Sequence, residues 1–191
     1  MFREPSPPSA TARSPVPSRP CQGRRSRPSG ISTRTTPWTT RSTWLPAAFT
    51  QWRIDYVLIA GRYTLLEQPA LVDLLPLCLR HGVGVIAGGV YNSGLLADPK
   101  PGARYNYAPV PEATLARAIA LRDRCAENGV PLKAAALQMP LLHPAICSVV
   151  IGAATPEEIA ENVAMSQVPI PAELWKDLRE SGLLDLEAPA P

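Results

Sequence analysis

Residues 83–89 read Val83-Gly84-Val85-Ile86-Ala87-Gly88-Gly89, a short apolar run that passes directly into a glycine pair. The run has neither the 3.6-residue spacing of a surface helix nor the alternation of a half-exposed strand. It suits a strand buried on both faces, as in a parallel sheet. Two runs of the same kind flank it, IDYVLIA at 54–60 and CSVVI at 147–151. The segments between them are helical in pattern. Leu71, Leu74, Leu75 and Cys78 recur at i, i+3, i+4 and i+7, the stripe of an amphipathic helix. Arg80 and His81 stand in its last turn and Gly82 provides a left-handed stop. Pro76, inside the stripe, predicts a bend.

Beyond Gly89 lies a loop over 90–110 with Pro99, Pro101 and Gly102. At about 20 residues it exceeds the usual connection, and Tyr91, Tyr105 and Tyr107 predict that it packs. Pro111 opens a helix carrying Leu115, Ala118, Ile119 and Cys125, which ends at Asn128-Gly129. A second helix, 131–142, is rich in Ala and Leu on most sides and is expected to be buried. After the third strand, Gly152-Ala153-Ala154 leads to Thr155-Pro156-Glu157-Glu158. That is a capping box, with Thr155 at N-cap, Pro156 at N1 and Glu158 at N3. Ile159 and Val163 would form the inner face of this helix, and a last helix over 171–181 would bury Leu174 and Leu178 before Gly182.

Strand, helix, strand, two helices, strand, two helices is the order of an α/β fold with a parallel sheet and helical crossovers. A (β/α)8 TIM barrel needs eight strands and roughly 250 residues. Residues 54–191 supply three strands, so they read as the C-terminal part of such a barrel.

Residues 1–53 differ in kind. They hold nine Arg, no Lys and one acid, Glu4, a formal charge of +8. The whole chain carries +3, which leaves −5 for residues 54–191. The first segment is low in apolar residues and rich in Arg, Pro, Ser and Thr, and predicts disorder. A transit peptide shares its composition, but the prolines forbid the amphipathic helix such a peptide forms. A basic nucleic-acid arm would mix Lys with Arg, so nucleic-acid binding is not expected. A GC-rich gene read out of frame gives this composition as well, and that reading is favoured here.

The four cysteines, Cys21, Cys78, Cys125 and Cys147, show no C-x-x-C pair and no neighbouring His at ligand spacing. No metal site is expected, and free thiols fit a reducing compartment. No apolar run reaches the roughly 18 residues that span a bilayer. A cytoplasmic protein with no membrane contact is expected.

Four separated segments carry a resemblance. They are Tyr63-Thr64-Leu65-Leu66-Glu67-Gln68, residues 82–89, Asn92-Ser93-Gly94-Leu95-Leu96, and residues 151–163. In these the chain resembles the aldo/keto reductase family. AGRYTLLEQ and PGARYNYAP bring it nearest to the bacterial dehydrogenases of L-fucose, D-arabinose and related D-threo-aldoses. The resemblance makes the strands the sixth, seventh and eighth of the barrel. It implies hydride transfer with a nicotinamide cofactor and oxidation of an aldose at C1. It also implies a Tyr general acid/base tuned by Lys, with an Asp and a His. Those four come from the first half of the barrel. Lys100, Lys133, Lys176, His81 and His143 stand at no matching position. No catalytic residue is assigned, and the chain is expected to be an inactive fragment.

The resemblance also implies a cofactor site. Gly88, Gly89, Asn92, Ser93 and Gly94 follow the seventh strand and would cradle the pyrophosphate and nicotinamide side. Gly152, Ala153 and Thr155 follow the eighth and would hold the adenosine end, with Glu161 and Asn162 near the adenine. Barrel sites lie at the C-terminal ends of strands, with phosphate on the last two loops, and a helix N-terminus favours an anion. Glu158 replaces the basic residue of NADP-preferring members, so NAD rather than NADP is expected. Gly88 replaces the aromatic residue that stacks on nicotinamide in many members.

Each assignment has a purely structural alternative. Glu158 can serve only as a cap. Gly88-Gly89 can be a tight strand exit, Gly152 and Thr155 a turn and its cap, Asn162 a solvated side chain, and His143 a helix-end residue. At the level of the whole chain, the alternative is a non-catalytic half barrel that binds a nucleotide or a partner. Its exposed edges would favour self-association.

Overall fold

The three apolar runs pair as one parallel sheet in a computed structural model of the chain, which describes residues 49, 51–106 and 108–190. In chain order the elements are β1 (Tyr56–Ala60), α1 (Leu74–His81), β2 (Gly84–Gly88), a small hairpin of β3 (Arg104–Tyr105) and β4 (Ala108–Pro109), α2 (Glu112–Glu127), α3 (Leu132–Gln138), β5 (Ile146–Val150), α4 (Pro156–Gln167) and α5 (Ala172–Glu180). The parallel order is β1-β2-β5. Tyr56 pairs with Gly84 and Ala60 with Gly88, and Gly88 pairs with Val150 on its other side. The β2–β5 register shifts after Val85, which faces Ile146 while Ile86 faces Ser148. Cys147 is the extra residue, and its thiol donates to the Val85 carbonyl at 3.3 Å.

The structure corrects three expectations. Burial on both faces does not hold for β1 and β5. Ile59, Val85, Ala87 and Ile146 are buried, but Leu58 is 63% and Val150 50% exposed. The helices cover one face, and no described element covers the face that carries Tyr56, Leu58, Ser148 and Val150. Pro76 does not bend α1. The helix begins at Leu74, so Pro76 lies in its first turn, where a missing N–H costs no intrahelical bond. Residues 69–71 form a separate 3-10 turn. Ile159 and Val163, expected to face inward, are both more than half exposed, because α4 packs on α3 and no described element lies against its other side.

Other readings hold. Gly82 ends α1 with a positive φ of 65°. Residues 132 and 134–137 of α3 are buried all round, and Leu174, Trp175 and Leu178 of α5 are buried. Two polar clamps join these layers. Gln138 donates its amide to the carbonyls of Met165 and Val168 at 2.8 and 2.9 Å. The Arg117 guanidinium donates to the carbonyls of Leu66, Gly182 and Leu183. Cys78 and Cys125 are buried thiols outside any disulfide. Residues 1–48, Cys21 and Tyr107 lie outside the described residues, and with them the expectation for the basic segment.

His143 is buried after the 3-10 turn Met139–Leu142. Its Nδ1 accepts the Ala145 N–H at 3.1 Å, and its ring meets Tyr63 edge-on at 5.5 Å. Burial holds its pKa below the ordinary value. The folded chain therefore binds this proton more weakly than the unfolded chain. The resulting stability is complete above roughly pH 6.5 and is lost as pH falls through the depressed folded value. The melting temperature is expected to fall between pH 7 and pH 5, and His143→Gln to flatten that dependence. A wild-type melting temperature constant across this range would contradict it.

Candidate functional site

The C-terminal ends of β2 and β5 open onto a cleft of about 370 Å³. This is within the size range of small-molecule sites, at its lower end. The first wall is the loop after β2. Gly89 turns the chain with a φ of +64°, and Asn92, Ser93 and Gly94 follow with φ of 48°, 60° and 91°. Short turns hold this path, with the Asn92 N–H on the Gly89 carbonyl at 2.9 Å and the Leu96 N–H on the Tyr91 carbonyl at 3.0 Å. Leu95 and Leu96 anchor the loop in the core.

The second wall is the exit of β5 and the start of α4. The Thr155 hydroxyl accepts the Glu158 N–H at 3.3 Å. The Glu158 carboxylate reaches back to the Ala154 N–H at 2.7 Å, one residue before the N-cap. The capping reading of Glu158 is therefore correct, yet Glu158 also lines the cleft. Glu157 is held below the ordinary carboxylate range by its own backbone N–H and then by Thr155. The free amides of this helix start favour negative charge.

Of the residues singled out from sequence, Gly89, Ser93, Gly94, Gly152, Glu158, Glu161 and Asn162 all line the cleft. Four are not brought to its wall. Gly88 is spent in the sheet. Asn92 is buried, and its side-chain amide has no hydrogen-bond partner among the described residues. Ala153 and Thr155 are exposed beside the cleft.

Two further residues complete the site. Tyr91 Oη donates to Asn162 Oδ1 at 3.0 Å, joining the β2 loop to α4. Lys133, on α3, forms a 2.7 Å ion pair with Glu161 and lies 5.6 Å from the centre of the Tyr91 ring. Sequence reasoning assigned Tyr91 to loop packing and gave Lys133 no role. The signal for Lys133 is its place as the one charged residue in a mostly apolar helix, and such a charge needs a partner. With Glu158 and Glu161 against Lys133, the charged side chains lining the cleft sum to −1.

Tyr63, Tyr91 and Tyr105 are poor proton donors at neutral pH. Burial, then the Glu161 charge, pushes Tyr91 up to about 12. Burial and Glu67 push Tyr105 up to about 12. Burial, then Asp185, drives Tyr63 higher still. A general acid/base must move the other way. Among the described residues, no three His, Cys, Asp or Glu side chains gather as metal ligands. No helix there is long and apolar enough to cross a membrane.

The model of the aldo/keto reductase family matches residues 29–182. A Pseudomonas D-threo-aldose 1-dehydrogenase is 41% identical over 133 residues, which is 69% of this chain and 40% of that protein. Pyridoxal 4-dehydrogenase of Microbacterium luteolum is 44% identical over 132 residues, 69% of this chain and 39% of that protein. The chain thus spans about 40% of the length of the curated relatives it matches. Among solved structures, an aldo-keto reductase of Bacillus halodurans in its apo form superposes with a TM-score of 0.60 at 24% identity. That match covers 77% of this chain and 49% of the other, a likeness of fold.

Proposed function

The chain belongs to the aldo/keto reductase family, and we propose that its cleft holds the adenosine end of a nicotinamide dinucleotide, NAD rather than NADP. The supporting observation is convergence. Three separate segments, after β2, after β5 and along α4, bring Gly89, Ser93, Gly152, Glu158, Glu161 and Asn162 to one cleft. It lies at the strand ends where barrel enzymes hold phosphate. A cleft of 370 Å³ suits an adenosine half better than a whole dinucleotide. Preference for NAD rests on Glu158, whose carboxylate would face a 2′-phosphate across a cleft already net negative.

In a complete barrel the reaction would be oxidation of an aldose such as L-fucose or D-arabinose at C1. Relatives named for a D-threo-aldose and for pyridoxal bracket the substrate class. Hydride transfer would belong to the bound nicotinamide. Among the described residues, those at the cleft bind and orient and none is placed to move the proton, so this chain alone is proposed to be inactive. The buried thiols Cys78 and Cys125 suit a cytoplasmic setting.

A second reading is favoured by the apolar face around Leu58 and Val150, which no described element covers. It is a non-catalytic half barrel that binds nucleotide and self-associates through that face.

Titration calorimetry of the full chain separates these readings. NAD is expected to bind at least about tenfold more tightly than NADP, roughly 1.4 kcal/mol, and Glu158→Arg to reverse the order. No NADH should form with L-fucose, D-arabinose or pyridoxal. Equal or tighter NADP binding by the wild type would overturn the cofactor assignment, and turnover would overturn the inactivity. A sedimentation coefficient that rises with concentration would favour the self-associating form.

A further inference from the structure

The parallel sheet ends in two strands that lack the usual protection of an edge. Among the described residues, β1 and β5 each pair only with β2. Each therefore leaves one row of backbone N–H and C=O groups without a strand partner there. Sheet edges in monomeric proteins are blunted by charges, prolines or a covering element. β1 reads YVLIA and β5 reads ICSVV, with neither a charge nor a proline.

The two edges also match each other. All three strands run parallel, so β1 of a second copy can continue the sheet beyond β5 without a change of direction. The helices repeat the match. α1 and α3 lie on the crossovers from β1 to β2 and from β2 to β5, and α4 packs on α3 at the end of that row. The side of α4 that no described element covers carries Ile159 and Val163, both more than half exposed. The helix that a second copy would bring beside it is α1, where Leu79 and, just ahead of the helix, Val72 are exposed.

The placement of these residues decides between two contacts. Copies stacked face to face would cover Leu58 and Val150 on the open face of the sheet and leave Ile159 and Val163 in water. An edge-to-edge contact brings α1 against α4 and makes Leu58 of one copy a same-face neighbour of Val150 in the other. It satisfies the backbone groups of both edges in the same step, the source of affinity in strand addition.

We infer that the chain assembles head to tail, the β1–α1 edge of one copy docking on the β5–α4 edge of the next by parallel strand addition. The inference rests on the self-associating reading above and makes no use of the cofactor assignment. It gives that reading a heterologous contact, in which the two copies use different surfaces.

The test uses the full chain in two differently tagged forms, Leu58→Cys and Val150→Cys. They are mixed and treated with a short bismaleimide, and the linked peptides are identified by mass spectrometry, which separates them from links through native cysteines. Neighbouring strands lie about 4.8 Å apart, within reach of the reagent at several registers. Links from position 58 of one copy to position 150 of the other are expected to exceed 58–58 and 150–150 links by about tenfold or more. Ile159→Lys combined with Val163→Lys puts charges on α4, away from the open face of the sheet. This pair should lower the association constant in sedimentation by about tenfold or more, with the far-UV circular dichroism spectrum of wild type. Self-association with mostly 58–58 and 150–150 links, or association unchanged by the α4 pair, would overturn the edge contact and leave self-association standing. A wild-type chain that sediments as a monomer at every concentration would overturn both.

Discussion

Leu121→Ala is expected to destabilise the fold by about 3–4 kcal/mol and to lower the urea midpoint by roughly 1–3 M. Leu121 is fully buried in α2, the helix that packs against both α3 and α5. Truncation removes three carbons from a close-packed interior, and the rigid helices around the site cannot collapse into the space. A domain of this size has a total stability of roughly 5–15 kcal/mol, so a loss of this size is a large share of it. Ile159→Ala removes a similar volume from α4, but Ile159 is more than half exposed, and the cost should stay within about 0.5 kcal/mol. Urea unfolding followed by circular dichroism compares the two. A Leu121→Ala midpoint within experimental error of wild type would show that the core is not organised around α2.

The contrast between these two leucine-sized residues shows what sequence periodicity can and cannot say. Both lie on helical stripes, and the pattern called Ile159 inward. Periodicity reports that a helix has an apolar face. It does not report whether something lies against that face, which is a property of elements elsewhere in the fold. The same reason explains β1, where the continuous run of 54–60 was read as buried on both faces and Leu58 is exposed. Local chemistry was more legible. The Thr155 cap and the Gly82 stop depend on neighbours within a few residues, and both stand as read. Pro76 is the local exception: its effect depends on where the helix starts, and a pattern sets that boundary only to within a residue or two.

The site follows the same division. Its glycines and Glu158 were legible, because loop exits from strands and helix starts are short-range features. Tyr91 and Lys133 were not, because their roles need partners 71 residues away for Tyr91 and on another helix for Lys133. A lone lysine in an apolar helix announces that a partner exists. It does not say which, and only the packing of α3 beside α4 supplies Glu161.

Gly89→Val is expected to cost about 2–5 kcal/mol and to abolish dinucleotide binding. Gly89 has a φ of +64°, and a Cβ there would stand 3.2 Å from the Gly61 backbone nitrogen. That nitrogen cannot yield, because its N–H is bonded to the Gly88 carbonyl at 2.9 Å, at the C-terminal end of the β1–β2 pair. A left-handed backbone costs a residue with a side chain roughly 1–2 kcal/mol, and forcing the two strand ends apart adds about 1–3 kcal/mol. The functional loss has a separate route. Gly89 begins the loop that carries Tyr91, so moving it draws the Tyr91 hydroxyl away from Asn162, whose bond is 3.0 Å long. Gly94→Ala isolates the backbone term. Gly94 also has a positive φ, 91°, but a Cβ there meets nothing within 4 Å, so strain alone should cost about 1–2 kcal/mol. The expected order of melting temperatures is wild type, then Gly94→Ala, then Gly89→Val. A Gly89→Val chain that melts with wild type and keeps its NAD affinity would mean that the tight approach of residues 61 and 89 does not shape the cleft.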